Sequence, residues 1–229
     1  MASPITANGR RLVRELLVTL MVILSSPLWL ISRFEAAFLR SDGLFLGCSE
    51  LLSLVPGIPG IYLRRGFYKM ALEACSSDCH IGFGTILAHP QVRIGRRVYV
   101  GLGCMLGKVF IDDDVTIGDN VDVLSGRRQH NFDQLDTPVQ AQGGAFIQVK
   151  VGKNSWIGNR SIIMDNVGCN CVIGAGSVVT KPIPDNAVAF GNPATVKRQR
   201  EPASPASTVT PEPQGAAHLS LADKFISQV

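Results

Sequence analysis

From Gln148 to Arg198 the chain keeps a six-residue beat that neither a helix nor an ordinary sheet can absorb. Val151, Ile157 and Ile163 fall on every sixth residue, and Gly152 and Gly158 follow the first two. After a short adjustment the beat resumes at Val167, Ile173 and Val179, with Gly168 and Gly174 again one place on. A helix repeats every ~3.6 residues and a half-buried strand every ~2. A period of six fits a triangular solenoid, in which each side is one short strand and a turn and three hexapeptides close a coil. The aliphatic residue points into the prism at every side. The glycine after it is expected to supply the open backbone angles of a turn. Small residues two places before the aliphatic (Ser155, Ser161, Cys171, Ser177) suit tight interior corners.

The same signal opens earlier, at Ile81-Gly82, and settles at Ile94-Gly95, Val100-Gly101 and Leu106-Gly107. It returns one residue out of phase at Ile111, Ile117-Gly118 and Val123, a slip that a corner can take without moving the inward side chains. Between Ser125 and Phe146 it vanishes. A structureless insertion of this length inside a compact domain is usually functional. It is expected to leave one edge of the prism as a protruding loop over 125–147, which contains His130, Asp133 and Asp136. The fold expected is mainly β: a parallel β-helix over 81–198, interrupted by that loop.

The first 63 residues read differently. Leu16 to Ile31 is an apolar run with Arg10, Arg11 and Arg14 before it and Arg33 and Arg40 after it. A spanning helix needs ~20 apolar residues, so this run is somewhat short. Basic residues on both flanks assign no orientation. One physical answer keeps both ends on the same face, with Pro27 kinking a helix that dips into one leaflet and returns. A single or paired span is the rival, because Leu44 to Leu63 is apolar too. That second run holds Glu50 and the breaker string Pro56-Gly57-Ile58-Pro59-Gly60, which makes it a poor free-standing span. Ser32-Arg33-Phe34-Glu35 offers no small-x-small cleavage pattern, against a cleaved signal peptide. Residues 1–63 are therefore read as a membrane-associating segment, re-entrant or spanning.

Residues 64–80 are read as a cap and connector. Arg64 to Ala74 has Phe67, Met70, Ala71 and Ala74 on one side of a helix, placed where a solenoid needs its open end covered. After Arg198 the chain turns Pro/Ser/Thr/Ala-rich, and 199–229 is expected to be mostly disordered, with a last short helix from Leu219 to Val229.

Composition narrows the function classes. A net charge of +4 with dispersed basic residues and few interleaved aromatics argues against a nucleic-acid surface. Six cysteines stand in the chain, several at small interior positions of the repeat where Cys is a compact hydrophobe, so they are read as reduced thiols. Cys75-x3-Cys79-His80 looks like part of a metal site, but no second ligand pair follows, and no metal is expected.

From Ile81 to Arg198 the chain resembles the hexapeptide-repeat acyltransferases of the left-handed β-helix type. The resemblance is carried by Trp156-Ile157-Gly158, by Val172-Ile173-Gly174-Ala175-Gly176-Ser177-Val178-Val179-Thr180-Lys181, by Pro184-Asp185-Asn186, and by Gly191-Asn192-Pro193-Ala194-Thr195-Val196-Lys197-Arg198. It implies left-handed coils, an exception to the usual crossover hand. It also implies a homotrimer with active sites in clefts between prisms, and acetyl-CoA as co-substrate along a prism edge. The same resemblance places pantetheine against Gly158 and the Ala175-Gly176 corner, Thr180, Lys181 and Arg198 nearer the nucleotide phosphates, and Trp156 at the wall of the acyl pocket.

Acyl transfer from a thioester to a hydroxyl needs a base for the hydroxyl proton, and a histidine suits that task at neutral pH. Of four histidines, His218 lies in the tail, His80 at the entry to the repeat and His89 in a turn before Pro90. His130 alone occupies the loop, and its position resembles that of the family's catalytic histidine. Asp133 is the favoured orienting carboxylate, with Asp136 or a backbone carbonyl as alternatives. An oxyanion donor is expected from a backbone N–H near Gly158. No covalent intermediate is needed, so the cysteines are not nucleophile candidates.

The expected function is thus a membrane-associated O-acetyltransferase acting on a hydroxyl-bearing acceptor, a surface glycan or its lipid-linked precursor. Acyl-CoA is cytosolic, which places the enzyme on the cytoplasmic face of a membrane, the bacterial inner membrane. Three rivals stand: a serine-type small-molecule O-acetyltransferase, a non-catalytic trimeric β-helix that docks a partner, and a metal-dependent hydratase of the γ-carbonic-anhydrase type. The last needs three converging histidines, and those here are scattered.

Overall fold

The computed structural model describes residues 4–201, so the tail, with His218 and the helix read at its end, lies outside the described residues. From Ala74 onward the chain winds into about six coils of a parallel β-solenoid. Side A stacks β1 (Ala74–Cys75), β4 (Arg93–Ile94), β7 (Val109–Ile111) and β10 (Val149–Val151), and bridges at Val167 and Ile183 extend it. Side B stacks β2 (His80–Ile81), β5 (Tyr99–Val100), β8 (Thr116–Ile117), β11 (Trp156–Ile157), β13 (Val172–Ile173) and β15 (Ala187–Gly191). Side C stacks β3 (Ile86–Leu87), β6 (Met105–Leu106), β9 (Asp122–Val123), β12 (Ile162–Ile163) and β14 (Val178–Val179). The coils begin one side before the first Ile-Gly pair.

The inward residues are those the six-residue beat marks. Ile111, Ile117 and Val123 make one buried layer, and Val151, Ile157 and Ile163 make the next. The out-of-phase restart at Ile111 costs no inward position, because β7 stays in register with β4, Ile94 opposite Ile111. Ser155, Ser161, Cys171 and Ser177 are buried at the interior corners. Their polar atoms are satisfied there: Ser155 Oγ donates to Gly168 O at 2.8 Å and Ser161 Oγ to Gly174 O at 3.1 Å. Burial pushes the Cys104 and Cys171 thiols up, so both sit as neutral packing groups.

The reason for the repeat glycines differs from the expectation. Gly101, Gly152 and Gly158 are not the residues with positive φ. They are close-approach positions: a Cβ on Gly152 would lie 2.6 Å from Gly168 C, and one on Gly158 would lie 2.5 Å from Ala175 N. Left-handed backbone falls two residues further on, at Arg97, Asp114, Asn154, Asn170 and Asn186 between sides A and B. Gly84, Gly103, Asn120, Arg160 and Gly176 hold it between sides B and C. Asparagine tolerates this region, and here its amide also bridges coils. Asn154 Nδ2 donates to Asn170 Oδ1 at 2.9 Å, and Asn170 Nδ2 to Asn186 Oδ1 at 3.1 Å.

In the solenoid each coil's amides donate to carbonyls of the next, as His80 N does to Val98 O at 2.8 Å. The first coil therefore has carbonyls with no donor behind them. Helix α3 (Gly57–Ala71) supplies it from two arginines. Arg64 Nε donates to Ile81 O at 3.0 Å, and Arg65 Nε to Cys79 O. A second Arg64 nitrogen donates to Leu52 O and Val55 O at 3.0 and 2.9 Å, closing the end of α2 (Gly43–Ser53). Both arginines are fully buried, whereas the amphipathic reading counted only Phe67, Met70, Ala71 and Ala74. Ala74 lies past the helix, paired with Arg93 in side A. Cys75 and Cys79 meet beneath this cap with sulfurs 3.6 Å apart, and all six cysteines are free.

Helix α1 (Pro4–Phe38) runs through Pro27 without a break. Proline removes the N–H that would engage the carbonyl four residues back. Ser26 Oγ takes that Ile23 carbonyl at 2.8 Å, and Ser25 Oγ donates to Met21 O at 2.7 Å. The turn-back expected at Pro27 is absent. The breaker string instead opens α3, with Pro56 just before the helix and Gly57 to Gly60 in its first turn, Gly57 at φ +66°. At the far end of the prism, β15 turns at Gly191-Asn192-Pro193 into antiparallel β16 (Ala194–Gln199), which covers the edge of side B.

Candidate active site

The insertion leaves the prism where side C passes to side A, between β9 and β10. Its two arms run back against each other: Ile147 N donates to Ser125 O at 2.9 Å, Ala145 N to Arg128 O at 2.7 Å, and Asn131 N to Gly143 O at 2.9 Å. Gly144 is required here, because a Cβ would lie 2.4 Å from Gln129 C and 2.9 Å from His130 N. The root is tied to the next coil by Arg127 Nε and Asp165 Oδ2, 3.1 Å apart. The tip is held by Gln142, whose Nε2 donates to Gln134 O and Thr137 O, both at 2.7 Å, and whose Oε1 accepts Gln134 N at 3.0 Å. Gln142 O also accepts Asn131 Nδ2 at 3.1 Å, so the residue after His130 is fixed by backbone and side chain.

His130 is exposed on this braced loop. Asp133 and Asp136 are exposed as well, and neither is bonded to the His130 imidazole within the chain. The same edge, nearer the start of the prism, carries His89. It lies 4.0 Å from Asp42 and edge-on to Phe146 at 5.7 Å, and Lys108 Nζ stands 5.9 Å from the Phe146 ring. Partial burial and the Lys108 charge push His89 below the usual imidazole range. His80 is buried at side B, stacked on Tyr99 at 4.6 Å. Among the described residues no three His, Cys, Asp or Glu side chains converge as metal ligands would.

The remaining candidate residues fall into separate places. Ala175 and Gly176 form an exposed corner between sides B and C, with Gly176 at φ +70° and nothing within 4 Å of a Cβ there. Thr180 and Lys181 follow β14 on the C-to-A edge, the edge from which the loop springs. Arg198 is exposed on β16. Among the described residues neither Lys181 nor Arg198 is paired with a carboxylate. Trp156 points outward from side B, 55% exposed.

Gly158 does not fit the oxyanion reading. It is buried, and its N–H donates to Ile173 O at 2.8 Å within the coil ladder. That amide is already committed to holding coils together.

In a triangular prism the edge between sides C and A lies opposite side B. The loop with His130 and the face with Trp156 are thus on opposite sides of one chain. Among the described residues no hydrogen bond, ion pair or ring contact joins the loop to Trp156. Arg127, Asp165 and Gln142 went unnoticed in the sequence. Gly143-Gly144 was the one visible sign of a tight return.

The chain has relatives of the same build. It is 35% identical over 114 residues to a galactoside O-acetyltransferase of Lactococcus lactis subsp. lactis (strain IL1403), covering 48% of this chain and 53% of the relative. It is 36% identical over 120 residues to a galactoside O-acetyltransferase of Escherichia coli (strain K12), covering 48% and 54%. Among solved structures, a maltose O-acetyltransferase from Clostridium difficile 630 superposes with a TM-score of 0.61 at 26% identity, over 69% of this chain and 86% of that one. This chain is similar to the hexapeptide-repeat acyltransferases of the left-handed β-helix type. A galactoside acetyltransferase in complex with coenzyme A shares the fold at TM-score 0.59 and 24% identity, over 69% and 80%. No protein-family model matches the chain. The chain spans about half the length of the curated relatives it matches.

Proposed function

We propose that this protein transfers an acetyl group from acetyl-CoA directly to a hydroxyl of a sugar acceptor, with His130 as general base. The observation that carries the reading is the placement of His130, exposed on a braced loop at one prism edge, in a chain whose solenoid matches sugar O-acetyltransferases. His130 takes the acceptor's hydroxyl proton as that oxygen bonds to the thioester carbonyl carbon. The C–S bond breaks, and the proton held on the imidazole passes to the departing thiolate. Asp133 orients the ring, a role Asp136 or a backbone carbonyl also fits. Ala175, Gly176, Thr180, Lys181 and Arg198 hold the donor, with the two cations toward its phosphates; Trp156 walls the acetyl pocket and Gly158 lets the coils close beneath it.

The functional unit is a homotrimer. His130 and Trp156 of one chain face opposite sides of the prism, so a pocket using both takes one from each of two chains. The acceptor is a glycan or its lipid-linked precursor, and the enzyme is held on the cytoplasmic face of a membrane. Glu15–Phe38 supports this, since its 24 residues are long and apolar enough to cross one.

The test is release of free CoA from acetyl-CoA with galactosides, lipid-linked glycans and serine as acceptors. A sugar acceptor supports the reading, serine alone moves the protein to the serine-type class, and turnover with none leaves a docking module. Mixing His130→Ala and Trp156→Ala chains separates the shared site from a single-chain one. Mixed trimers recover activity only if one pocket draws on two chains.

A further inference from the structure

We propose that α1 lies in the plane of a membrane, embedded in one leaflet along its whole outward side, and that it selects anionic lipid. This rests on the membrane attachment proposed above and adds its geometry. At ~1.5 Å per residue, Glu15–Phe38 is about 36 Å long, against a hydrocarbon core of ~30 Å. Length therefore allows crossing, and what the helix packs against decides.

One stripe of α1 faces the protein from end to end. Val18 packs with Tyr62, and Met21 lies against Gly66 of α3 so closely that a Cβ on Gly66 would stand 2.5 Å from Met21 C. Further along, Cys48 Sγ donates to Leu28 O at 3.8 Å, and Glu35 Oε2 accepts Leu44 N at 2.5 Å, at the start of α2. Ser25, Ser32 and Glu35 are buried along this line. α3 is in turn bonded to the first coil through Arg64 and Arg65. A crossing α1 would carry α3, its two buried guanidinium groups and the solenoid's end into the hydrocarbon, where charge is costly.

The opposite stripe is continuously apolar and exposed. Leu16, Leu20, Ile23, Leu30, Phe34 and Phe38 recur at helical spacing, from 55% exposure at Leu20 to 71% at Phe38. Charge is sorted the same way. Glu35 is buried, and Glu15 Oε1 accepts Ser77 Oγ at 3.3 Å, while Arg33 and Arg40 are exposed. A helix with one apolar side and outward cations is the form that seats in an anionic interface.

The test uses the full chain. It is floated with vesicles of phosphatidylcholine alone or with phosphatidylglycerol, and an N-terminal tag is probed with protease in sealed inside-out membrane vesicles. Flotation with the phosphatidylglycerol vesicles and cleavage of both the tag and the solenoid from the same side are expected. Arg33→Gln with Arg40→Gln should weaken binding to anionic vesicles about 30-fold, since each basic residue near such a surface contributes roughly fivefold. Leu20→Glu with Phe34→Glu should abolish flotation while the solenoid melts as in the parent. A protected tag on a protein that floats overturns the in-plane geometry and leaves attachment standing. A protein that never floats and stays soluble overturns both. If the Glu variant instead dissociates a larger assembly and lipid has no effect, a second copy covers the stripe and the proposal fails.

Discussion

Arg127 Nε and Asp165 Oδ2 lie 3.1 Å apart, joining the root of the loop that carries His130 to the coil that follows it. Arg127 is half exposed, so the pair contributes little to stability, less than ~1 kcal/mol. Its effect is expected on loop position. Arg127→Ala should leave the melting temperature nearly unchanged and lower turnover by up to about tenfold, the equivalent of ~1.4 kcal/mol in the barrier. Acetyl-CoA affinity should hold. A variant with parental turnover would show that the backbone pairs and Gln142 fix the loop without this contact.

Two glycine substitutions separate close approach from backbone freedom. Gly152→Ala would set a Cβ 2.6 Å from Gly168 C, against backbone of the next coil, and overpacking of this kind costs about 1–3 kcal/mol. Gly176→Ala meets open space and bears only its φ of +70°, worth ~1–2 kcal/mol. Thermal unfolding should show the larger loss for Gly152→Ala. The reverse order would return the repeat glycines to turn geometry.

His89 gives the stability a pH dependence of known sign. Its pKa in the folded protein is below the usual 6.5, pushed down by burial first and by the Lys108 charge next, with Asp42 opposing. The unfolded chain then binds the proton more readily, so this contribution is full above about pH 6.5 and is lost as pH falls below it. Denaturant midpoints across that range should decline toward acid, and less steeply in His89→Gln. Equal slopes in the two proteins would contradict the assignment.

The sequence showed the prism because inward positions obey one strict period, and it showed the loop because that period stops. Residues that work against their type stayed hidden. Arg64 and Arg65 stood outside the apolar side read for this helix, yet the first coil's unpaired carbonyls draw both inside. Pro27 read as a kink that turns the helix back, and Ser26 compensates for the missing N–H with one hydroxyl. The backbone near Gly158 read as the source of an oxyanion donor, but Gly158's own amide belongs to the ladder, a fact visible only once Ile173 is known to lie above it. The placement of Trp156 opposite the loop also needed the coils to be counted in three dimensions.

The central claim is that His130 removes the acceptor's proton, and acetyl transfer by His130→Ala measures it most directly. With acetyl-CoA and a sugar acceptor that the parent protein uses, turnover should fall about 10²–10⁴-fold. Acetyl-CoA binding, followed by calorimetry on the same preparation, should hardly change. Cys104→Ser, Cys169→Ser and Cys171→Ser should all keep the parental mechanism. A fully active His130→Ala protein, with activity that instead depends on His89 or on one of these cysteines, would contradict the account.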